Sequence, residues 1–287
     1  MRVMRHAILG TGGIGGLIAA ALARADREVV LLMRPETIIR YDGRLTVEST
    51  VLGDFDVQVR AAPNLEREID ALWVAVKAMQ LEAALQLAPP ERVGGATVVP
   101  LLNGVDHLAL LRTRYANVVA GAIRVESERT ASWRIRQTSP FLRVEVAGAE
   151  PLADELRAAG IETRVREDER TLLWEKLAFL GPLALATTAL DRPLGGIRND
   201  DRYRRCQEEA LAVARAAGAH IDAEALHALS AAAPDGMKSS MQKDVAAGRP
   251  PELDAIAGPI LRGGQRYAIP VPATTELVGL VEARTAP

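Results

Sequence analysis

A chain of 287 residues is long enough for about two domains, each able to bury its own core. A formal net charge of −2, with both signs interspersed, gives no basic field for nucleic acid, and 3% aromatic content leaves no basic-aromatic stripe. The single cysteine, Cys206, excludes an intrachain disulfide or a cysteine-built metal site and predicts a reducing, cytoplasmic setting.

The first thirty-four residues read as strand, glycine turn, helix and second strand. Ala7-Ile8-Leu9 leads into Gly10-Thr11-Gly12-Gly13-Ile14-Gly15, an apolar stretch runs to Ala25, and Val29 to Met33 ends at Arg34. In such a βαβ unit the first glycine permits a tight turn, the second lets backbone approach a pyrophosphate, and the third lets helix pack on strand. The helix N-terminus offers unpaired N–H groups to the anion. NAD-binding chains usually carry an acid at the end of the second strand, whereas an arginine there suits a 2′-phosphate. Arg34 therefore predicts NADPH, the alternative being a solvated loop cation beside Glu36. Arg2 and Arg5 ahead of an apolar stretch imitate a secretory signal, but five glycines between Gly10 and Gly16 break such a helix, and the segment is needed as the first βα unit. No other stretch approaches the roughly 20 apolar residues of a membrane span.

Further along, Leu72 to Val76, Ala96 to Leu102, Val118 to Ala122, Ser132 to Arg136 and Leu142 to Ala147 read as strands, with a helical pattern from Met79 to Leu87. This alternation predicts a doubly wound parallel sheet, the later short strands adding an antiparallel edge. From Glu167 onward helical signals dominate, at about 168–189, 200–217, 223–232, 237–247, 253–267 and 273–283. The domain boundary is placed near residue 166.

Four of the 35 basic residues are lysines, namely Lys77, Lys176, Lys238 and Lys243, so arginine is the default solvated cation and a lysine marks a place where arginine would not serve. Lys176 shares the stripe Leu173, Leu177, Leu180, Ala184, which places an ammonium on an apolar helical face. It reads either as a group at a ligand cleft or as a snorkelling stem with a solvated head. Asn103-Gly104 follows a buried strand at the carboxyl end, where open α/β sheets bind ligands, and is equally a favoured turn pair. Lys77 also ends a strand, placed to meet a ribose or phosphate, or merely solvent. Ser239, Ser240 and Glu252 read from spacing alone as helix-start residues. The four histidines show no metal-ligand spacing.

With these residues in place, the sequence resembles the ketopantoate reductases (2-dehydropantoate 2-reductases) from Gly10 to about Val281. The resemblance is carried by the Gly10–Gly15 turn with Arg34, by Val76-Lys77-Ala78 with Gln80, by Leu102-Asn103-Gly104-Val105, and by Trp174-Glu175-Lys176-Leu177. It continues in Ser239-Ser240-Met241 with Asp244, Glu252-Leu253-Asp254, and Ile269-Pro270-Val271-Pro272. It implies an N-terminal doubly wound Rossmann-type α/β domain over residues 1–166 that binds NADP, then an all-helical C-terminal substrate and catalytic domain over 167–287, with the site between them. The implied activity is NADPH-dependent reduction of 2-dehydropantoate to pantoate, in the route to pantothenate. By that resemblance Lys176 is the general acid, Asn103 touches nicotinamide and substrate, Ser240 binds the substrate carboxylate, and Glu252 holds a substrate hydroxyl or the cofactor ribose. The expected partner is a small 2-oxo acid, with no nucleic acid and no membrane, and a homodimer is left open.

One region departs from the family pattern. Members usually carry asparagines facing substrate at the positions occupied here by Leu180, Ala184 and Leu194. Losing three amides removes hydrogen-bond partners for a small polar acid and opens the alternative of a less polar 2-oxo acid or ketone. Two rivals are a non-catalytic NADP-binding sensor, which would not need Lys176, and a 3-hydroxyacid or imine reductase, whose glycine-rich substrate motif is not evident.

Overall fold

The structure is a computed structural model that describes residues 3–130 and 133–285. The chain divides into two compact units, one formed by residues 1–102 and 107–169, the other by 103–106 and 170–287. The first unit runs β1 (Arg5–Leu9), α1 (Gly13–Arg24), β2 (Glu28–Leu32), α2 (Pro35–Ile38), β3 (Arg44–Ser49), β4 (Phe55–Gln58), β5 (Arg60–Ala62) and β6 (Ala71–Val74). It continues through α3 (Leu81–Ala84), α4 (Pro90–Val93), β7 (Thr97–Pro100), α5 (His107–Arg112), β8 (Gly121–Arg124), β9 (Ser127–Arg129), β10 (Arg134–Gln137), β11 (Arg143–Ala147), α6 (Glu150–Ala158) and β12 (Glu162–Arg166).

The central sheet has the order β5-β2-β1-β6-β7 and is parallel throughout. Its middle strands are apolar on both faces because both are covered, as a parallel sheet requires. The later strands do not extend this sheet as an antiparallel edge. β4-β3-β10-β9 and β12-β11-β8 form two further mixed sheets, and Val118, ahead of β8, makes an isolated parallel bridge to Val98 of β7. The strand expected over Ser132–Arg136 is observed as β10 from Arg134, while Ser132 lies outside the described residues. The pattern over Met79–Leu87 yields one α-turn, α3, between 3₁₀ turns at Ala78–Gln80 and Leu85–Leu87, cut short by Pro89-Pro90.

The second unit is helical: α7 (Glu169–Leu190), α8 (Leu194–Ile197), α9 (Asp201–Ala216), α10 (Ala223–Ala232), α11 (Ser240–Ala246), α12 (Leu253–Arg266) and α13 (Pro272–Thr285). α7 is buried along Thr171–Ala178, apart from half-buried Glu175, and again along Gly181–Ala189, so it forms the unit's core rather than an amphipathic cover. Buried Glu209 on α9 accepts from the backbone N–H of Ala273 and Thr274, each at 2.8 Å, and from Thr274 Oγ1 at 2.6 Å. A carboxylate thus closes the N-terminus of α13, where Pro272 has no N–H to satisfy. No helix among the described residues is long and apolar enough to cross a membrane.

One buried polar network ties α6 to the central sheet. Trp73 Nε1 donates to His6 Nδ1 at 3.2 Å, so the ring proton of neutral His6 sits on Nε2, which faces Glu155 at 3.4 Å, and Arg27 Nε donates to the same carboxylate. Burial is the largest influence and holds the His6 pKa below its ordinary 6.5, against the raising pull of Glu155 and Asp70 and with a smaller lowering by Arg27. Protonation of Nδ1 would also set two N–H groups against each other. The unfolded chain binds this proton more readily, so the stability carried by neutral His6 is present above pH 6.5 and is lost as pH falls toward the folded pKa. Thermal melts between about pH 7.5 and pH 5 should show Tm falling in the acid arm. In His6→Gln, whose amide does not titrate, that part of the slope should vanish even if the absolute Tm is lower.

Candidate functional site

The glycine turn lies where β1 meets α1, and close backbone contacts explain its composition. Gly10 has φ +107°, and a Cβ there would lie 2.6 Å from the Ala75 carbonyl oxygen, just past β6. A Cβ at Gly15 would lie 1.8 Å from the Gly10 carbonyl oxygen, and one at Gly13 would lie 2.3 Å from the Ser127 carbonyl oxygen on β9. Gly12 differs: it is exposed and nothing stands within 4 Å of where its side chain would be. Helix α1 begins with Gly12 as N-cap, without a side-chain cap and without an acid in its first turn. The result is a helix N-terminus with an open approach over Gly12, ready for an anion. Ile14 turns the other way and packs against the main core, and Thr11 Oγ1 accepts from Arg129 Nη1 at 3.4 Å.

Strand order groups the remaining candidates of this unit. β2, β1 and β6 are adjacent and parallel, so Arg34, the glycine turn and Lys77 all follow carboxyl ends of neighbouring strands. That is the edge at which open α/β sheets take ligands. Arg34 is the N-cap of α2, with its side chain 59% exposed and only a long 3.9 Å contact to Glu36. Lys77 is half-buried at the start of the 3₁₀ turn Ala78–Gln80.

After β7 the chain runs through Leu101-Leu102 into Asn103–Asp106, which packs within the helical unit. Asn103 Nδ2 donates to Glu252 Oε2 at 3.4 Å, and Glu252 is the N-cap residue of α12. Gly104, at φ +85°, presses on the backbone of that helix: a Cβ there would lie 2.4 Å from the Ala255 carbonyl oxygen. Arg262 bridges Asp106 and Asp254, each at 2.6 Å, and crosses Gly258 to do so. Asn103 and Glu252, 149 positions apart, are thereby held together.

Lys176 lies on α7 and is 8% exposed, among Leu173, Trp174, Leu177 and Ala178, all buried. Ser240 is the exposed first residue of α11, whereas its neighbour Ser239 is buried, caps Gln242 N at 3.0 Å and meets Thr187 Oγ1 at 2.8 Å. The expected capping role thus falls to Ser239. Ala184 and Leu194 are buried in one apolar cluster with Met241, Ile256 and Ala257, and Leu180 packs against it. Sequence reasoning missed Ser127 and Arg129 beside the turn and the Arg262 bridge. These residues are brought there by tertiary pairing and carry no local motif.

The sequence profile of the family "Ketopantoate reductase PanE/ApbA" matches residues 6–147, and that of its C-terminal region matches residues 168–285. The chain belongs to the ketopantoate reductase family. It is 32% identical over 290 residues to the 2-dehydropantoate 2-reductase of Caulobacter vibrioides, a match spanning 96% of this chain and 98% of that protein. The crystal structure of a PanE/ApbA family ketopantoate reductase from Ralstonia eutropha superposes with a TM-score of 0.87 at 27% identity, covering 98% of each chain. A D-mandelate dehydrogenase solved with NADH and anilino(oxo)acetate shares the fold, with a TM-score of 0.86 at 22% identity over 98% of both chains. The protein is accordingly an oxidoreductase of the ketopantoate reductase type.

The turn separates packing from ligand approach. Gly15→Ala must displace backbone and should destabilise the protein by about 1–3 kcal/mol or more, whereas Gly12→Ala, at φ −77° with open space around it, should leave Tm unchanged. Melting curves of the two variants check this.

Proposed function

We propose that the protein reduces a 2-oxo acid with NADPH, with 2-dehydropantoate, giving pantoate for pantothenate synthesis, as the first substrate to test, and that it does so in the cytoplasm. The observation that carries the reading is the glycine turn, open only over Gly12 and flanked by Arg34 and Lys77 on neighbouring strand ends, in a chain 32% identical to a 2-dehydropantoate 2-reductase. Residues 1–166 hold the cofactor in this proposal, and residues 167–287 supply the substrate and proton chemistry.

The residues of the turn fit a dinucleotide. Gly10, Thr11, Gly12, Gly13, Ile14 and Gly15 form a cradle in which side chains at 10, 13 and 15 would collide with backbone, while the space over Gly12 stays open. The first-turn amides of α1 take the pyrophosphate, Arg34 takes the 2′-phosphate, and Lys77 takes a ribose or phosphate oxygen. When bound, the nicotinamide supplies a hydride to the carbonyl carbon of the substrate. Lys176 donates a proton to the carbonyl oxygen and recovers it from water, so that C=O becomes CH–OH. Asn103 orients nicotinamide and substrate, Glu252 holds a hydroxyl of substrate or ribose, and Ser240 meets the substrate carboxylate.

A second reading concerns the substrate alone. The apolar cluster around Leu180, Ala184 and Leu194 favours a less polar 2-oxo acid, because a buried site lacking amides neither rewards nor orients extra hydroxyls. The fold itself is compatible with that chemistry, since the D-mandelate dehydrogenase shares it.

Oxidation of NADPH should be followed with 2-dehydropantoate and with the 2-oxo acid corresponding to mandelate. Turnover of either supports the reductase reading, and the larger kcat/KM selects the substrate. No turnover with any 2-oxo acid sinks it. Preference for NADPH over NADH should be about tenfold to a hundredfold in kcat/KM and should collapse in Arg34→Ala. Lys176→Ala should lower kcat by about a hundredfold to ten-thousandfold with little change in NADPH affinity, and Lys176→Arg should restore little, because guanidinium keeps its proton. A Lys176→Ala protein that retains most of its kcat removes this residue from the mechanism.

A further inference from the structure

We propose that Arg129 is a second phosphate-binding cation of the dinucleotide site, directed at the pyrophosphate, which leaves the 2′-phosphate to Arg34. The inference rests on the reading of Gly10–Gly15 as a cofactor turn and adds a residue that the sequence did not mark.

The position of Arg129 follows from the way β9 meets the turn. Ser127 Oγ donates to the Gly13 carbonyl oxygen at 3.0 Å, and the Ser127 backbone occupies the space a Gly13 side chain would need. Side chains alternate along a strand, so Arg129, two residues on, projects from the same face as Ser127. Its Nη1 reaches Thr11 Oγ1 at 3.4 Å, inside the turn itself. The guanidinium lies over the Trp133 ring with 4.7 Å from Cζ to the centroid. Trp133 is in turn fixed: it is 9% exposed, donates from Nε1 to the Arg40 carbonyl oxygen at 3.0 Å, and packs edge-on against Tyr41 at 4.8 Å. A flexible side chain is thereby held over an immobile aromatic platform.

Charge pairing sets Arg129 apart from its neighbours. In the same sheet Arg44 pairs with Asp56, and both Arg134 and Arg136 pair with Glu48. Among the described residues no carboxylate pairs with Arg129, and the first turn of α1 beside it holds no acid. A stacked guanidinium with one N–H directed at Thr11 keeps further donors for oxygen ligands, and their fork matches a phosphate bidentately. The anion that the adjacent turn is built to admit is a pyrophosphate.

The test is equilibrium titration with NADPH and, separately, with NADH, followed by fluorescence, on the wild type, Arg129→Ala, Arg129→Lys and Arg34→Ala, with Tm measured for each. Arg129 is exposed, so Arg129→Ala should melt with the wild type. It should weaken both dinucleotides by the same factor, about tenfold or more, and flatten the dependence of Kd on salt. Arg129→Lys, which keeps charge without the fork, should recover part of the loss, and Arg34→Ala should weaken NADPH alone. Should Arg129→Ala melt early, Arg129→Gln takes its place. Unchanged Kd values in the Arg129 variants overturn the proposal, and a loss confined to NADPH overturns it by moving the guanidinium to the 2′-phosphate. A wild type that binds neither dinucleotide overturns the cofactor reading and this inference with it, a result distinct from either of those.

Discussion

The first unit depends on backbone pressed against backbone. Gly15 lies on the Gly10 carbonyl, Gly10 on the Ala75 carbonyl and Gly13 on the Ser127 carbonyl, and each approach is closer than any Cβ allows. Because of this, α1 can sit deep between the central sheet and the β4-β3-β10-β9 sheet. Gly16 leaves room for the Ile135 side chain of β10, and Leu17, Ile18 and Leu22 join Ile8, Leu31 and Trp73 in one core. A helix covered on both sides must be apolar all round. That burial accounts for the long apolar stretch that follows the glycines.

The helical unit meets the same problem of buried polar groups differently. α7 is enclosed nearly throughout, so a lysine on it cannot simply reach water, and Lys176 is the one charged side chain among its buried positions. Other buried polar groups of the unit are held by hydrogen bonds too: Glu209 meets two backbone N–H groups and a hydroxyl, and Ser239 meets an N–H and a hydroxyl. Cys206 is structural as well. It is buried against Thr274, and burial pushes its thiol up to about 12, far from reactive thiolate.

Local signals made some of this legible in the sequence. The glycine turn, the strands on either side and the long helices from Glu169 onward announce themselves through period, composition and punctuation. β3, β4, β5, β9 and β12 did not, because they are short, carry many charges and become elements only through pairing across the sheet, and α6 is a short charged helix with only Leu152, Ala153 and Leu156 buried. Arg44–Ser49 does alternate in burial, yet its polar face holds Arg44, Thr46 and Glu48, so it reads equally as loop. The same limit applies to the candidate site. Arg34, Lys77, Asn103 and Lys176 sit at recognisable strand ends or on a periodic face, whereas Arg129 and Arg262 take their positions from partners far along the chain.

The proposed roles of Lys176 and of the apolar cluster around Leu180, Ala184 and Leu194 separate reaction from recognition. Proton transfer needs one group of suitable acidity at one place, and a chain rich in arginine keeps a lysine at position 176, within a helix where the ion is hard to house. Recognition of hydroxyls needs several buried amides, each worthless without its partner. Alkyl groups at all three positions carry no such requirement, and Ala184 and Leu194 are buried in the core with Met241 and Ile256. A single amide restored at Ala184 would face that apolar cluster, so polar recognition cannot be regained one residue at a time without loss of stability. In the proposed reading, the reductase chemistry and the choice of 2-oxo acid are therefore carried by different residues of one fold, the first by Lys176 and the second by the apolar cluster around Leu180, Ala184 and Leu194.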